Sequence, residues 1–378
     1  MSIKEATGRA AGRSVGLGLD EPGTKLGFAT RAVPLEKMAS LKGMAHAPQR
    51  GDLALAEVTK IGKNTRLETR EGVVMHLFPG DRILVAFGDR YATDQFEGYV
   101  PNEPVEACDL LSMGGVCGVV SSRHSSVSEP TRLRLLGAVC DGDGEPLNTR
   151  AFGLPSLAPV GGDEGGAEVI LVVGSSMNSG KTTTVGTISR SLSRAGFGVA
   201  AAKVTGTAAG KDVHFFESSG ARPAIDFTYA GYPSTYMVGR EELIGLYRAV
   251  LAHLRAARPD YIVLEIADGI FQRETRMLLD SEEVTGEVDH LFFTAGDSLS
   301  VESGVRFLKE RGLPLCATAG VVTASELNIQ EAEWATGVPC LGTDRILGEE
   351  LLSAIGAAPP VSPNGHVGIP GAVEEISR

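Results

Sequence analysis

Val169-Ile170-Leu171-Val172-Val173-Gly174-Ser175-Ser176-Met177-Asn178-Ser179-Gly180-Lys181-Thr182-Thr183-Thr184 is the most informative run in this chain. An apolar, β-branched segment ends in a glycine. A loop of small residues follows, and Gly-Lys-Thr opens a segment with helical periodicity. Strand, loop and helix in that order are the context a phosphate-binding loop requires. Small residues let backbone N–H groups turn inward around phosphate oxygens, and the positive end of the helix faces them. In this reading the loop from Gly174 to Thr183 (Gly174, Ser175, Ser176, Met177, Asn178, Ser179, Gly180, Lys181, Thr182 and Thr183) cradles the phosphates of ATP. Lys181 reaches the β- and γ-phosphates, and Thr182 gives its hydroxyl to Mg²⁺. The spacing departs from the standard motif by one residue, because Ser175 stands where the first glycine belongs and Gly174 precedes it.

Outside this run, the 378 residues suffice for two domains. A hydrophobic content of 43% and a mean hydropathy of +0.05 describe a well-packed globular protein. No apolar run has the length of a membrane span, and Met1-Ser2-Ile3-Lys4-Glu5 lacks a signal-peptide core, so a cytoplasmic protein without membrane partners is expected. A net charge of −12 argues against nucleic acid as the main partner, since backbone binding needs a basic footprint. Cys108, Cys117, Cys140, Cys316 and Cys340 have no zinc spacing and read as reduced, mostly buried thiols.

The expected organisation is a flexible arm (1–24), a small β domain (25–150), a Pro/Gly-rich linker (151–166), an α/β domain (167–358) and a tail (359–378). The β domain shows short strand-like runs at Leu53–Ile61, Thr65–Arg70, Arg82–Phe87, Gly98–Val100, Val116–Ser121 and Leu133–Val139, which suggest a small barrel or sandwich. Its loop from Gly88 to Gly98 presents Arg90 and Asp94 to a ligand or pairs them locally. Arg123 and His124 fall in a Ser-rich link. Beyond the linker, strands alternate with helices. Strands are expected at Glu168–Val173, Val199–Val204, Tyr261–Ile266, Leu291–Thr294, Leu315–Val322 and Val338–Leu341. Helices are expected at Lys181–Ala195, Glu241–Ala257, Leu299–Arg311, Ile329–Ala335 and Ile346–Ala354. That alternation implies a parallel sheet flanked by helices, with ligands at the carboxyl ends of its strands.

Several residues at those ends carry chemistry. Glu265 closes an apolar run, where an unpartnered acid is costly, and is the first candidate for Mg²⁺; Asp268 is the next. Lys203 closes the second strand and either neutralises phosphate or an acidic substrate, or snorkels to solvent. Asp212 is a second Mg²⁺ candidate, with a solvated loop acid as the preferred reading. His214 is a candidate base, although a histidine beside two phenylalanines is more often structural. Asp226, Ser234 and Thr235 sit in a hydroxyl-rich stretch from Ile225 to Tyr236 that binds substrate or caps a helix. Asn328 and Gln330 read the nucleotide base or cap a helix.

With these residues in place, the stretch from Glu168 to Gly342 resembles the dethiobiotin synthetase-like branch of P-loop NTPases. The resemblance rests on Gly174 to Thr183 with its longer spacing, the strand ending near Lys203, Leu264-Glu265 to Gly269, and Thr336-Gly337-Val338-Pro339. It implies Mg²⁺ and ATP, and phosphorylation of a carboxylate or carbamate that a nucleophile then attacks. Two departures stand out: Ser176 replaces the loop acid, and Ile266-Ala267-Asp268-Gly269 replaces Gly-Ala-Gly-Gly. The expected function is ATP- and Mg²⁺-dependent transfer of the γ-phosphoryl group to a small-molecule substrate, as a kinase or ligase. The alternatives are a nucleotide-switched accessory NTPase and an acyl transferase on the same fold. A homodimer stays open.

Overall fold

The computed structural model describes residues 17–21, 23–154 and 166–359. They form two compact units. The first comprises the described residues up to Leu154 together with Thr207–Gly210 and Thr228–Tyr236, and the second comprises the remainder.

The first unit contains β1 (Thr24–Leu26), β2 (Ser40–Lys42), β3 (Leu53–Lys60), β4 (Arg66–Glu68), β5 (Val74–His76), β6 (Arg82–Phe87), β7 (Phe96–Tyr99), β8 (Ala107–Leu110), β9 (Val116–Arg123) and β10 (Thr131–Cys140). β6, β3, β10, β8 and β9 pair in sequence, and β9 returns to β6 in parallel through Ala86↔Val116 and Phe87↔Cys117. This closes a ring, and β1, β2 and β7 extend it. Closure removes the open edges that a free sheet would present. Both faces of β3 are buried: Leu53 and Leu55 join one apolar cluster, while Ala54, Ala56 and Val58 join the other. Ala208, from the short segment Thr207–Gly210, completes the first cluster.

The sequence marks the long strands of this unit and misses β1, β2, β5 and β8, which have too few residues to show periodicity. Gly98–Val100 was placed late: the strand is Phe96–Tyr99, with an irregular register between Glu97 and Gly98. Arg123 belongs to β9, paired with Phe96, and not to a link. Leu17 is buried and Thr24 opens β1, both inside the stretch read as an arm. The rest of that arm, the linker at 155–165 and the tail beyond 359 lie outside the described residues.

The second unit contains β11 (Glu168–Gly174), α1 (Lys181–Arg194), β12 (Val199–Lys203), α2 (Lys211–Ser218), β13 (Ala224–Asp226), α3 (Arg240–Arg255), β14 (Tyr261–Glu265), α4 (Arg273–Leu279), α5 (Glu282–Thr285), β15 (His290–Thr294), α6 (Ser298–Lys309), β16 (Leu315–Ala319), α7 (Glu326–Thr336), α8 (Thr343–Leu347) and α9 (Glu350–Ala354). Six parallel strands run in the order β13-β12-β14-β11-β15-β16. β14 is buried along its whole length and β11 beyond Glu168, as central strands covered on both faces must be. All carboxyl ends therefore open on one edge, where the chain makes the turns that carry its small and charged residues.

Three expectations need correction. Val338–Leu341 is no strand; only Cys340 bridges to Thr318. The last helix is two short ones, interrupted at Gly348. Lys211 and Asp212, which read as the continuation of a small-residue loop through Gly206 and Gly210, open the helix α2.

Candidate functional site

β11 delivers the chain to Gly174, and α1 begins seven residues later at Lys181. Gly180 caps α1 in the left-handed region (φ 101°), and a Cβ there would meet Gly320 Cα at 2.8 Å. Gly320, after β16, also has positive φ (94°), and its own Cβ would overlap the Ser179 carbonyl. Two glycines thus let the loop and the β16 turn touch backbone to backbone, and Val321 N donates to Ser179 O at 3.1 Å. The Ser179 hydroxyl meets Thr294 Oγ1 at 2.7 Å, which ties the loop to the end of β15. Among the described residues the amides of Gly180, Lys181, Thr182 and Thr183 have no acceptor. They lie at the positive end of α1, where first-turn amides have no acceptor within the helix. Lys181 Nζ curls back onto the loop and donates to Ser176 O at 2.7 Å. Burial pulls its ammonium down to about 8 against the pull of Glu265, with Lys203 adding to the depression. Such a lysine gains most from an anion.

Beside this loop, the sheet aligns Asp226, Lys203 and Glu265 in one row, through Lys203↔Asp226 and Lys203↔Glu265. Lys203 Nζ lies 3.2 Å from Glu265 Oε1 and 2.5 Å from Asp212 Oδ2 on α2. Burial alone would lower the Lys203 ammonium; Glu265 and Asp212 outweigh it and hold it raised. Lys203 is therefore pinned and does not snorkel. Asp212 is buried and paired, so the solvated-acid reading fails for it. The other Glu265 oxygen, Oε2, is buried with no hydrogen-bond partner among the described residues. An orphaned carboxylate oxygen costs several kcal/mol of solvation unless something meets it, on the order of the penalties for buried ions. A hard cation fits that oxygen. No cluster of three or more His, Cys, Asp or Glu among the described residues could hold a metal. Mg²⁺ is such a cation, because it takes few protein ligands and keeps water and phosphate oxygens.

Asp268 follows β14 in the left-handed region (φ 61°), a conformation that costs a side chain about 1 kcal/mol or more. Its half-buried carboxylate makes no hydrogen bond or ion pair among the described residues. Burial raises it to about 6, opposed by Lys181 and Lys203. Thr205 accepts the Ala267 amide at 2.9 Å and Thr275 donates to the Ala267 carbonyl at 2.9 Å, so the turn is braced on two sides. Glu274, fully buried, accepts the Met237 amide at 2.9 Å and adds to the elevation of Asp268. Thr205 and Glu274 were missed from the sequence, where neither falls in a motif.

A cavity of about 180 Å³ opens on the other side of the loop, lined by Gly180, Thr183, Thr187, Val321, Thr323 and Thr343 among others. Asn328 and Gln330 lie on α7 and do not line it. His214 is exposed on α2. Ser234 and Thr235 are buried in the first unit, where the Ser234 hydroxyl accepts the Tyr236 amide at 3.2 Å as a local turn. Arg90 donates to Gln95 at 3.0 Å within its own loop. All five cysteines are free thiols. No helix of the described residues is long and apolar enough to cross a membrane.

No family model matches the sequence, and no curated protein matches it. Solved structures give partial likenesses. A DUF1611 family protein from Anabaena variabilis is 16% identical over 50% of this chain, with a TM-score of 0.36; the chain spans 57% of that protein's length. The signal recognition particle receptor FtsY from Elizabethkingia anophelis is 14% identical over 53% of this chain and 68% of its own, with a TM-score of 0.35. The septum site-determining protein MinD from Pyrococcus horikoshii, complexed with Mg-ADP, is 16% identical over 50% of this chain and 86% of its own, with a TM-score of 0.31. None of the three is described as a dethiobiotin synthetase.

Proposed function

We propose that the second unit binds a nucleoside triphosphate with Mg²⁺ and transfers its γ-phosphoryl group to a small anionic metabolite. The observation that carries this reading is the buried, unpartnered Oε2 of Glu265 beside a lysine and an array of free amides. In it, the amides of Gly180 to Thr183 and the Lys181 ammonium hold the β- and γ-phosphates, and Thr182 and Glu265 hold Mg²⁺, which spreads the phosphate charge when bound. The threonine-lined cavity beyond Gly180 takes the base. Lys203, kept charged by Glu265 and Asp212, faces the acceptor's carboxylate, and Asp268 takes the proton of the acceptor's hydroxyl as that hydroxyl oxygen bonds to the γ-phosphorus. The bond from that phosphorus to the β–γ bridging oxygen breaks, and the nucleoside diphosphate leaves. Positioning and charge neutralisation supply most of the rate.

The test is γ-labelled ATP and GTP incubated with the full chain and pools of carboxylic acids. Label in an organic product supports the reading. Label only in inorganic phosphate reduces it to a nucleotide hydrolase. No stabilisation of the fold by any nucleotide with Mg²⁺ rejects it.

A further inference from the structure

We infer that the first unit carries a binding site for a small organic ammonium ion, built from the rings of Tyr91, Tyr99 and Tyr236 and the carboxylate of Glu97. Two stretches distant in sequence meet there: the Gly88–Gly98 loop with β7, and the segment ending at Tyr236, which belongs to this unit. The Tyr236 ring lies 5.5 Å from that of Tyr91 and 5.9 Å from that of Tyr99, centroid to centroid, and both pairs are tilted. Tyr99 donates to Glu97 Oε1 at 2.6 Å and Tyr236 donates to the same oxygen at 3.0 Å. The two phenol oxygens stand 3.2 Å apart.

Among the described residues no lysine, arginine or histidine pairs with Glu97. The neighbouring acid Asp89, by contrast, is buried with Arg50 as its partner. The hydrogen-bond partners of this half-buried carboxylate are the two phenols. The Tyr91, Tyr99 and Tyr236 rings cluster at the same place, and the face of an aromatic ring is its negative pole. Hydrogen bonding to Glu97 raises the Tyr99 phenol, and burial raises Tyr236, so both keep their protons and remain donors at neutral pH. Hard metal ions prefer a shell of oxygen ligands. A wall of rings with one carboxylate instead suits a weakly hydrated ammonium, whose N–H or N–CH₃ groups lie on the rings. The rival view is a purely structural clasp, which would bind nothing.

Titration of the full chain with methylammonium, with tetramethylammonium, and with the uncharged isostere neopentyl alcohol decides between them, read by calorimetry. Saturable binding of a cation without binding of the alcohol is expected. Preference for methylammonium assigns the site to primary amines, and preference for tetramethylammonium assigns it to methylated ones. Glu97→Gln keeps an acceptor for both phenols and loses the charge, so affinity should fall about tenfold or more. Tyr91→Leu removes a ring of the cluster and leaves the Glu97 carboxylate in place, so it should weaken binding separately from the charge. The proposal is overturned if neither cation saturates the wild-type chain. It is equally overturned if the alcohol binds as well as the cations, or if both variants, folded by circular dichroism, bind like wild type.

Discussion

Lys203 and Glu265 are register partners on adjacent parallel strands, and the pairing leaves one oxygen of Glu265 without a donor. An ion pair that satisfied only its own stability would close both oxygens. This one engages Oε1 and leaves Oε2 buried without a partner among the described residues, at the carboxyl end of β14. The arrangement places a fixed positive charge and a cation-seeking oxygen side by side.

Replacing Glu265 with glutamine keeps a carbonyl oxygen for Lys203 and removes the charge that a metal needs. Stability should change by no more than about 1 kcal/mol, because Lys203 keeps Asp212 and the lost ion pair is offset by relief of the orphaned oxygen's solvation cost. Mg²⁺-dependent turnover should fall by about 10²-fold or more. Urea denaturation and a magnesium titration of the rate check both halves.

Lys181→Ala removes the ammonium that folds over the loop onto Ser176. Nucleotide turnover should be abolished, and the thermal stabilisation given by nucleotide should shrink to a few degrees or none. Turnover like that of wild type would reject the phosphate-loop assignment.

In the proposed reaction Asp268 serves as a base only when ionised, and burial raises its carboxyl to about 6. The rate at saturating nucleotide should therefore fall as pH drops through about 6. Asp268→Asn should lower kcat by about 10²-fold, leave nucleotide affinity nearly unchanged, and abolish the acid limb. A pH-rate profile of both proteins makes the comparison.

Gly320→Ala tests the backbone contact between the β16 turn and the phosphate loop. The methyl group would overlap the Ser179 carbonyl and must adopt φ near 94°. A loss of roughly 1–3 kcal/mol in stability is expected, together with weaker nucleotide binding. An equally tight binder would show that the contact does not shape the loop.

His290, at the start of β15, sits between Cys316 Sγ at 3.5 Å and Glu168 Oε2 at 2.8 Å. The Cys316 contact raises the imidazolium, burial opposes it, and Glu168 adds, to about 9. A raised folded-state value stabilises the fold fully below the unfolded value near 6.5, and that stability is lost as pH rises through about 9. Glu168 is half exposed, so the loss should stay below about 1 kcal/mol. Urea melts of wild type and His290→Gln between pH 6 and 10 should converge at the alkaline end.

The long elements were legible in the residues because burial on one face or both leaves a local period. β6, α1 and β14 fell within a residue of their expected bounds for that reason. Strands of three or four residues, such as β1 and β8, were not, since their stability comes from partners far along the chain. Among the candidate residues, the Gly174–Thr183 loop and Glu265 carry a local signal, because each lies at the end of an apolar strand. Thr205, Glu274 and Gly320 do not, because each acts on a backbone group of a distant turn.

Local order along the chain was enough to announce a strand, a small-residue loop and a helix opening on lysine, since those depend on neighbours a few positions away. The folded chain alone decided that Lys203 is held between two acids, that Asp212 is buried, and that Tyr236 meets Glu97 across 139 residues. Such pairings are set by strand order and crossover geometry, which bring together side chains that carry no mark of one another in the sequence.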